Sequence, residues 1–269
     1  MQYSVLRYPG GKTRVLDRII PILSDIEHNE FREVFVGGGS VFLNKKLQAN
    51  TNNNIDNWIN DKDSNISALW KVIKSNPEGL IDMIRENYPD VDLWEFWKNK
   101  KIKSLSRLEK AFRLLFLNRT NFSGIISAKP IGGIENQDTA TYQIDCRWNS
   151  DLLIRRIRNI SELLNNVRIT TKNYSQVINA KGDQVLLFLD PPYYQKGEML
   201  YDEYMTPRQH KYLAKLLKET EHKFLLTIDN CEKIRKLYSW ANIKNEEWKY
   251  TINSDKNKIG KELFITNFD

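Results

Sequence analysis

The five apolar residues Val185-Leu186-Leu187-Phe188-Leu189 run straight into Asp190-Pro191-Pro192-Tyr193, and no other stretch limits the fold of this chain as tightly. An apolar run of that length, closed by prolines, reads as a buried strand. Proline fixes φ and carries no backbone donor, so two in succession make a rigid turn and leave the Asp190 and Pro191 carbonyls to accept hydrogen bonds. An exocyclic amine brings two N–H groups to such a turn. With the Asp190 carboxylate accepting one and the Pro191 carbonyl the other, the nitrogen lone pair is drawn out of conjugation and aimed at an electrophile. Tyr193 then stacks on the ring that bears the amine. The plainer reading of the same residues is a strand that ends in a tight turn.

Three upstream segments supply context. Val34-Phe35-Val36 leads into Gly37-Gly38-Gly39-Ser40 and then a helical stretch from Val41, a strand and glycine turn that lets backbone approach a ligand closely. Such a turn also suits a dinucleotide site or a plain bend. About twenty residues on, Ile55 to Ile59 reads as a second strand leading to Asn60-Asp61, an acid at the interval where such folds grip ribose hydroxyls. Arg7-Tyr8-Pro9-Gly10-Gly11-Lys12 precedes an amphipathic helix with Val15, Leu16, Ile19, Ile20 and Leu23 on one side. A cation at a helix start suits a carboxylate, and a turn with a helix cap is the plainer account.

In this order the four segments resemble the DNA adenine-N6 methyltransferases of the Dam type, the α group in which the glycine motif comes first and the DPPY motif last. The resemblance spans nearly the whole chain. It implies a Rossmann-like α/β domain dependent on S-adenosylmethionine, with an inserted, mainly helical DNA-recognition domain. Tyr8, Pro9, Gly10, Gly11 and Lys12 are then expected at the methionine part of the cofactor, Phe35, Gly37 and Gly39 at its body, and Asp61 at its ribose. Asp190, Pro191, Pro192 and Tyr193 are expected to hold the target adenine, with Asp190 also near the cofactor. Asn173-Tyr174 falls where relatives carry Asp-Phe against the cofactor adenine. Here the acid is an amide, which can still pair with an adenine edge or can cap the following helix. Leu117-Asn118-Arg119-Thr120-Asn121-Phe122-Ser123-Gly124 is similar to the Arg-x-Asn-Phe-x-Gly string of the family, and Lys261 to Asn267 to its last strand.

Strand-like runs at Glu33 to Val36, Ile55 to Ile59, Val167 to Thr171, Val185 to Leu189 and Phe224 to Ile228 alternate with helical segments, an α/β pattern. Between Asp63 and Asn165 strand signals fade, and Trp70, Ile81, Ile84, Phe112, Leu115 and Phe116 follow helical spacing. Residues 1–62 and 166–269 are therefore expected to form the catalytic domain, with 63–165 as the inserted recognition domain. Residues 95–165 hold 13 Lys and Arg against 7 Asp and Glu, a net of +6 out of +7 for the chain. Such a cluster suits a phosphate backbone, although a solvated helix face explains most single lysines. Ser123 to Asn149 reads as a loop or short hairpin presented to DNA. Arg119, Asn121, Lys129, Gln137 and Arg147 are its candidates for base or phosphate contact, since Arg pairs with guanine and Asn or Gln with adenine.

Two cysteines, Cys146 and Cys231, give neither a disulfide framework nor zinc spacing, and no run is long enough to span a bilayer. A cytoplasmic enzyme without a metal is expected, acting on double-stranded DNA, with a cognate restriction endonuclease as a conceivable partner. Two alternatives fit the same residues. Cytosine N4 is a similar amine that the turn could hold, and a catalytically silent DNA-binding protein could keep the scaffold.

Overall fold

The computed structural model describes residues 4–7, 11–48, 55–194, 204–249 and 259–269. Its strands are β1 (Glu30–Glu33), β2 (Asp56–Asn60), β3 (Val167–Thr170), β4 (Val185–Leu189), β5 (Lys223–Asp229), β6 (Asn242–Lys249) and β7 (Ile259–Thr266). They form one sheet in the order β3-β2-β1-β4-β5-β7-β6. By contacts the chain divides into two compact units, one of Met1–Arg14, Gly37–Ala49 and Asp61–Thr171, the other of Val15–Val36, Asn50–Asn60 and Lys172–Asp269.

The second unit carries β1, β2 and β4 to β7. β1 pairs in parallel with β2 on one side and β4 on the other, β4 pairs in parallel with β5, and β7 runs antiparallel between β5 and β6. Every residue of β4 is buried, as an uninterrupted apolar strand requires. Fully burying each such Leu or Phe side chain contributes about 1.5–3 kcal/mol. Around this strand the helices α1 (Leu16–Ser24), α8 (Tyr174–Ile178), α9 (Pro207–Glu219) and α10 (Glu232–Leu237) complete the unit. Val177, Ile178, Leu213, Leu217, Ile234 and Tyr238 pack with Leu187, Leu189, Phe224 and Leu226 in a single apolar cluster.

β1 begins three residues before the strand-like run Glu33 to Val36 that marks it in the sequence. Its residues Glu30, Phe31, Arg32 and Glu33 include three charges, and the strand is possible because Arg32 is fully buried yet satisfied. Its guanidinium donates to both Glu30 carboxylate oxygens at 2.7 and 2.8 Å and to the Val177 and Ala180 carbonyls, and it lies 5.1 Å from the Trp58 ring centre. β6 has no apolar period to announce it and pairs only with β7 among the described residues.

The first unit holds α2 (Ser40–Gln48), α3 (Ser64–Ser75), α4 (Pro77–Glu86), α5 (Val91–Asn99), α6 (Arg107–Thr120), α7 (Ser150–Leu163) and β3. The starts of α3 to α7 are written in the sequence. Asp63, Asn76, Asp90, Ser106 and Asn149 accept a backbone N–H from the first turn of their helices, and Ser106 with Glu109 forms a reciprocal capping box. Aromatic rings fill the space between: Trp97 against Phe112 at 5.2 Å, Phe112 against Phe116 at 5.7 Å and Phe116 against Trp148 at 5.5 Å. Within Ser123 to Asn149 the described backbone makes turns and one isolated antiparallel bridge, Asn121 with Pro130, rather than a hairpin.

Candidate active site

In the sheet unit the chain proceeds from β1 to β2 on one side, while β4 lies on the other. The carboxyl ends of β1 and β4 therefore flank the point where strand order reverses, the usual position of ligands on open α/β sheets. β4 ends at Leu189, and Asp190 follows, half-buried, with its Oδ1 accepting the Thr227 hydroxyl at 2.9 Å. Thr227 lies on β5 and is fully buried, so the carboxylate is held from the neighbouring strand. Pro191 is buried, and Tyr193, 8 % exposed, donates its hydroxyl to Glu262 of β7 at 2.5 Å. The next amide, Tyr194 N–H, donates to Asp229 at 2.6 Å. The Tyr194 ring rests 5.1 Å from the imidazole of His210. The turn is thus tied to β5 through Asp190 and Tyr194 and to β7 through Tyr193.

Beside it, Phe35 packs on Tyr174 with ring centres 5.7 Å apart. Tyr174 is buried, donates its hydroxyl to the Gln209 carbonyl at 3.2 Å, and has its pKa raised by burial and by Tyr212. The Asn173 side-chain oxygen accepts the Ser175 N–H at 3.0 Å, and Gln176 returns a bond to the Asn173 N–H. Of the two readings of Asn173, the helix cap is present, and it commits the oxygen.

The helical unit contains the glycine turn. Gly37 and Gly39 have φ of 44° and 66°, a region that favours glycine. The Asp61 carboxylate accepts the Gly37 N–H and the Asp63 N–H, each at 2.9 Å, and the Trp70 indole donates to the Gly37 carbonyl at 3.0 Å. A Cβ on Gly39 would lie 2.4 Å from the Trp70 ring, so this wall admits only glycine without movement. The Asp61 that the spacing sets after the glycine turn bonds that turn and shapes it. Gly11 is exposed and Lys12 is buried in the short 3-10 turn Lys12–Arg14. Tyr8, Pro9 and Gly10 lie outside the described residues.

The residues expected at DNA separate into two kinds. Arg119 and Asn121 face the protein, which corrects their reading as groove contacts. Arg119, 9 % exposed, donates from Nε to the Val5 carbonyl at 2.8 Å, and burial, with Arg156 and Arg7 nearby, lowers its pKa to about 10. Asn121 is fully buried, accepts the Trp94 indole N–H at 2.6 Å and donates to the Ile125 and Ile126 carbonyls. Gln137 likewise donates to the Ile131 carbonyl and accepts the Ile144 N–H. Lys129 and Arg147 are exposed.

One residue that the sequence reading passed over stands out. Phe122 is 67 % exposed on a turn fixed from all sides: its N–H donates to Lys129, Gly124 N–H donates to Asn121, and Asn118 donates to the Gly124 carbonyl. Ser123 adopts a positive φ of 56° within that turn. The signal available in sequence was the asymmetry of Asn121-Phe122-Ser123-Gly124, three turn formers around one large apolar ring.

The curated relatives agree with these features. A type II methyltransferase of Lactococcus lactis subsp. cremoris, M1.LlaDCHI, is 26% identical over 97% of this chain and 94% of its own. A type II methyltransferase of Methanocaldococcus jannaschii, M.MjaIII, is 26% identical over 98% of each. The DNA N-6-adenine-methyltransferase of Escherichia phage P1 is 25% identical over 87% of this chain and 31% of its own. The model of the D12 class N6 adenine-specific DNA methyltransferases matches residues 8–252. With the Gly37 turn, the Asp190 motif and a mixed α/β sheet all on one chain, this protein belongs to that family of adenine-specific DNA methyltransferases.

Proposed function

We propose that this enzyme methylates adenine N6 at a specific site in double-stranded DNA, using S-adenosylmethionine and releasing S-adenosylhomocysteine. The observation that carries this reading is the half-buried Asp190 carboxylate, fixed by Thr227 at 2.9 Å, at the end of β4 and ahead of two prolines. Asp190 accepts one N6 hydrogen and the Pro191 carbonyl the other, while Tyr193 stacks on the base once it is flipped from the duplex, at a cost of a few kcal/mol. When bound, the cofactor supplies a methyl group on a sulfonium, an electrophile strong enough for an amine whose lone pair has been freed. The Asp190 carboxylate orients the neutral amine and takes the proton only after the nitrogen has become cationic.

The donor set fits the cofactor. Asp61 accepts a backbone N–H on each oxygen, and as a carboxylate beside the glycine turn it is of the chemistry that accepts ribose hydroxyls. Gly37 and Gly39, at positive φ, shape the turn that serves the cofactor's body, and Phe35, Tyr174 and Asn173 serve its adenine end. Tyr8, Pro9, Gly10, Gly11 and Lys12 serve its methionine end. Residues 63–165 act as the recognition domain inserted in a catalytic domain of 1–62 and 166–269, with Lys129 and Arg147 on phosphate or base edges and the rigid Phe122 ring against the bases. A cytoplasmic setting accords with the same reading, and a cognate endonuclease is compatible with it. No helix among the described residues is long and apolar enough to cross a membrane.

The test is methyl transfer from labelled S-adenosylmethionine to unmethylated genomic DNA, with nucleoside analysis and modification-sensitive sequencing. N6-methyladenine in one short motif is expected, and N4-methylcytosine would overturn the base assignment. Asp190→Ala should abolish transfer and spare cofactor binding; a fully active variant removes Asp190 from the chemistry.

A further inference from the structure

Three carboxylates stand in a row across the antiparallel part of the sheet. Asp229 of β5 is in register with Glu262 of β7, and Glu262 with Glu246 of β6. Residues directly opposed across antiparallel strands project from one face, and like charges so placed oppose each other. Glu262 and Glu246 are 3 % and 6 % exposed, so neither is relieved by water. Apolar residues of similar size would fill these positions at least as stably, and what the acids do is therefore informative.

Glu246 accepts Arg18 at 2.5 Å and Lys244 at 2.8 Å. Against burial, which raises it, these cations hold its carboxyl below the ordinary range. The other two acids turn to the Asp190 motif: Asp229 accepts the Tyr194 N–H and Glu262 the Tyr193 hydroxyl. The second contact has a specific geometric effect. The hydroxyl oxygen lies on the axis of χ2, so packing around the buried ring sets its plane, whereas an acceptor fixed at the hydroxyl anchors the far end of the ring and so fixes where it stands.

We propose that Glu262 is a positioning residue for methyl transfer, whose carboxylate anchors the far end of the Tyr193 ring on which the flipped adenine stacks. This rests on the reading above that Tyr193 is the stacking partner. Glu262 touches neither adenine nor cofactor in this scheme. It acts through Tyr193, and it does so from β7, far along the chain from the DPPY residues.

The experiment is a double-mutant cycle of Tyr193→Phe and Glu262→Met on the full chain, reading kcat, KM for DNA, cofactor affinity and the fluorescence of 2-aminopurine at the target position. Each single variant should lose about ten- to hundredfold in kcat, the range for a hydrogen bond to a charged group, with cofactor affinity unchanged and 2-aminopurine less quenched once flipped. Because both remove the same bond, the double variant should be no slower than the slower single variant. Glu262→Gln keeps an oxygen that can accept the hydroxyl and should retain kcat within about threefold of wild type. Losses that multiply in the double variant, or Glu262→Gln falling as far as Glu262→Met, overturn the proposal. Should Glu262→Met not fold, full activity of Tyr193→Phe overturns it equally. If the wild-type protein makes no N6-methyladenine in the same assay, it is the reading of the site that fails, and this inference with it.

Discussion

Alanine at position 39 should unseat Trp70 and loosen the whole glycine turn. A non-glycine residue at the φ of 66° found there costs about 1–2 kcal/mol. The added Cβ would lie 2.4 and 2.5 Å from two atoms of the outer indole ring, closer than carbon atoms approach without movement. Trp70 has little freedom to yield, being 1 % exposed with its N–H on the Gly37 carbonyl at 3.0 Å. Swinging it away forfeits a buried hydrogen bond or overpacks its neighbours, about 1–3 kcal/mol in either case. The two contributions together make about 2–5 kcal/mol, a large part of the 5–15 kcal/mol that typically holds a domain. Urea unfolding followed by tryptophan fluorescence measures the loss, and titration with S-adenosylmethionine measures the effect on the turn. Trp70→Phe lacks the outer ring, so in that background Gly39→Ala should cost only the backbone share, about 1–2 kcal/mol. A loss below about 1 kcal/mol in the wild-type background, or no relief from Trp70→Phe, would refute the reasoning.

Phe122→Ala removes a ring that is 67 % exposed and should leave stability within about 0.5 kcal/mol. DNA affinity should nevertheless fall by about five- to a hundredfold, the range for one stacked base, as read by fluorescence anisotropy; unchanged affinity would strip the ring of its role. The imidazole of His210 is fully buried, and burial, partly offset by Asp229, lowers its pKa to about 4. The unfolded chain, with a histidine pKa of about 6.5, binds this proton first, so the contribution is fully present above that pH and is lost as pH falls towards 4, about 3 kcal/mol in all. His210→Leu should remove that share of the slope between pH 6.5 and 4 in chemical denaturation, and identical slopes for both proteins would contradict it.

Where one interaction dominates, the sequence was a sufficient guide. β4 has the limits that its apolar run announces, because five apolar residues closed by Pro191 leave no other register. β1 was misplaced by three residues, since the apolar residues Val34 to Val36 outweigh Glu30 to Glu33 in any local reading. What makes Glu30 to Glu33 a strand is the network around Arg32, whose partners Val177 and Ala180 lie more than a hundred positions away. β6 was invisible for a similar reason, as Glu246 is buried by pairing with Arg18 and with β7 rather than by apolar pattern. Among candidate site residues, the closeness of Gly37 and Asp61 was legible because motif spacing encodes local geometry. Arg119 and Asn121 were legible only as a motif. Their burial against Val5 and Trp94 depends on contacts that no local pattern carries, and so does the exposure of Phe122 between them and Gly124.

The position of β7 between β5 and β6 also bears on how the protein is made. Chains emerge from the ribosome amino end first, at about 5–20 residues per second. β4 with its Asp190 turn and β5 with Thr227 can pair as soon as they are clear, but Glu262 arrives on the strand that follows all the others described. Until it does, β5 presents an open edge, β6 has no neighbour, and Tyr193 lacks its anchor. On the roles proposed for Asp190 and Tyr193, a growing chain would have its carboxylate in place before its aromatic platform, and full competence to modify a genome would come as synthesis of the sheet is completed.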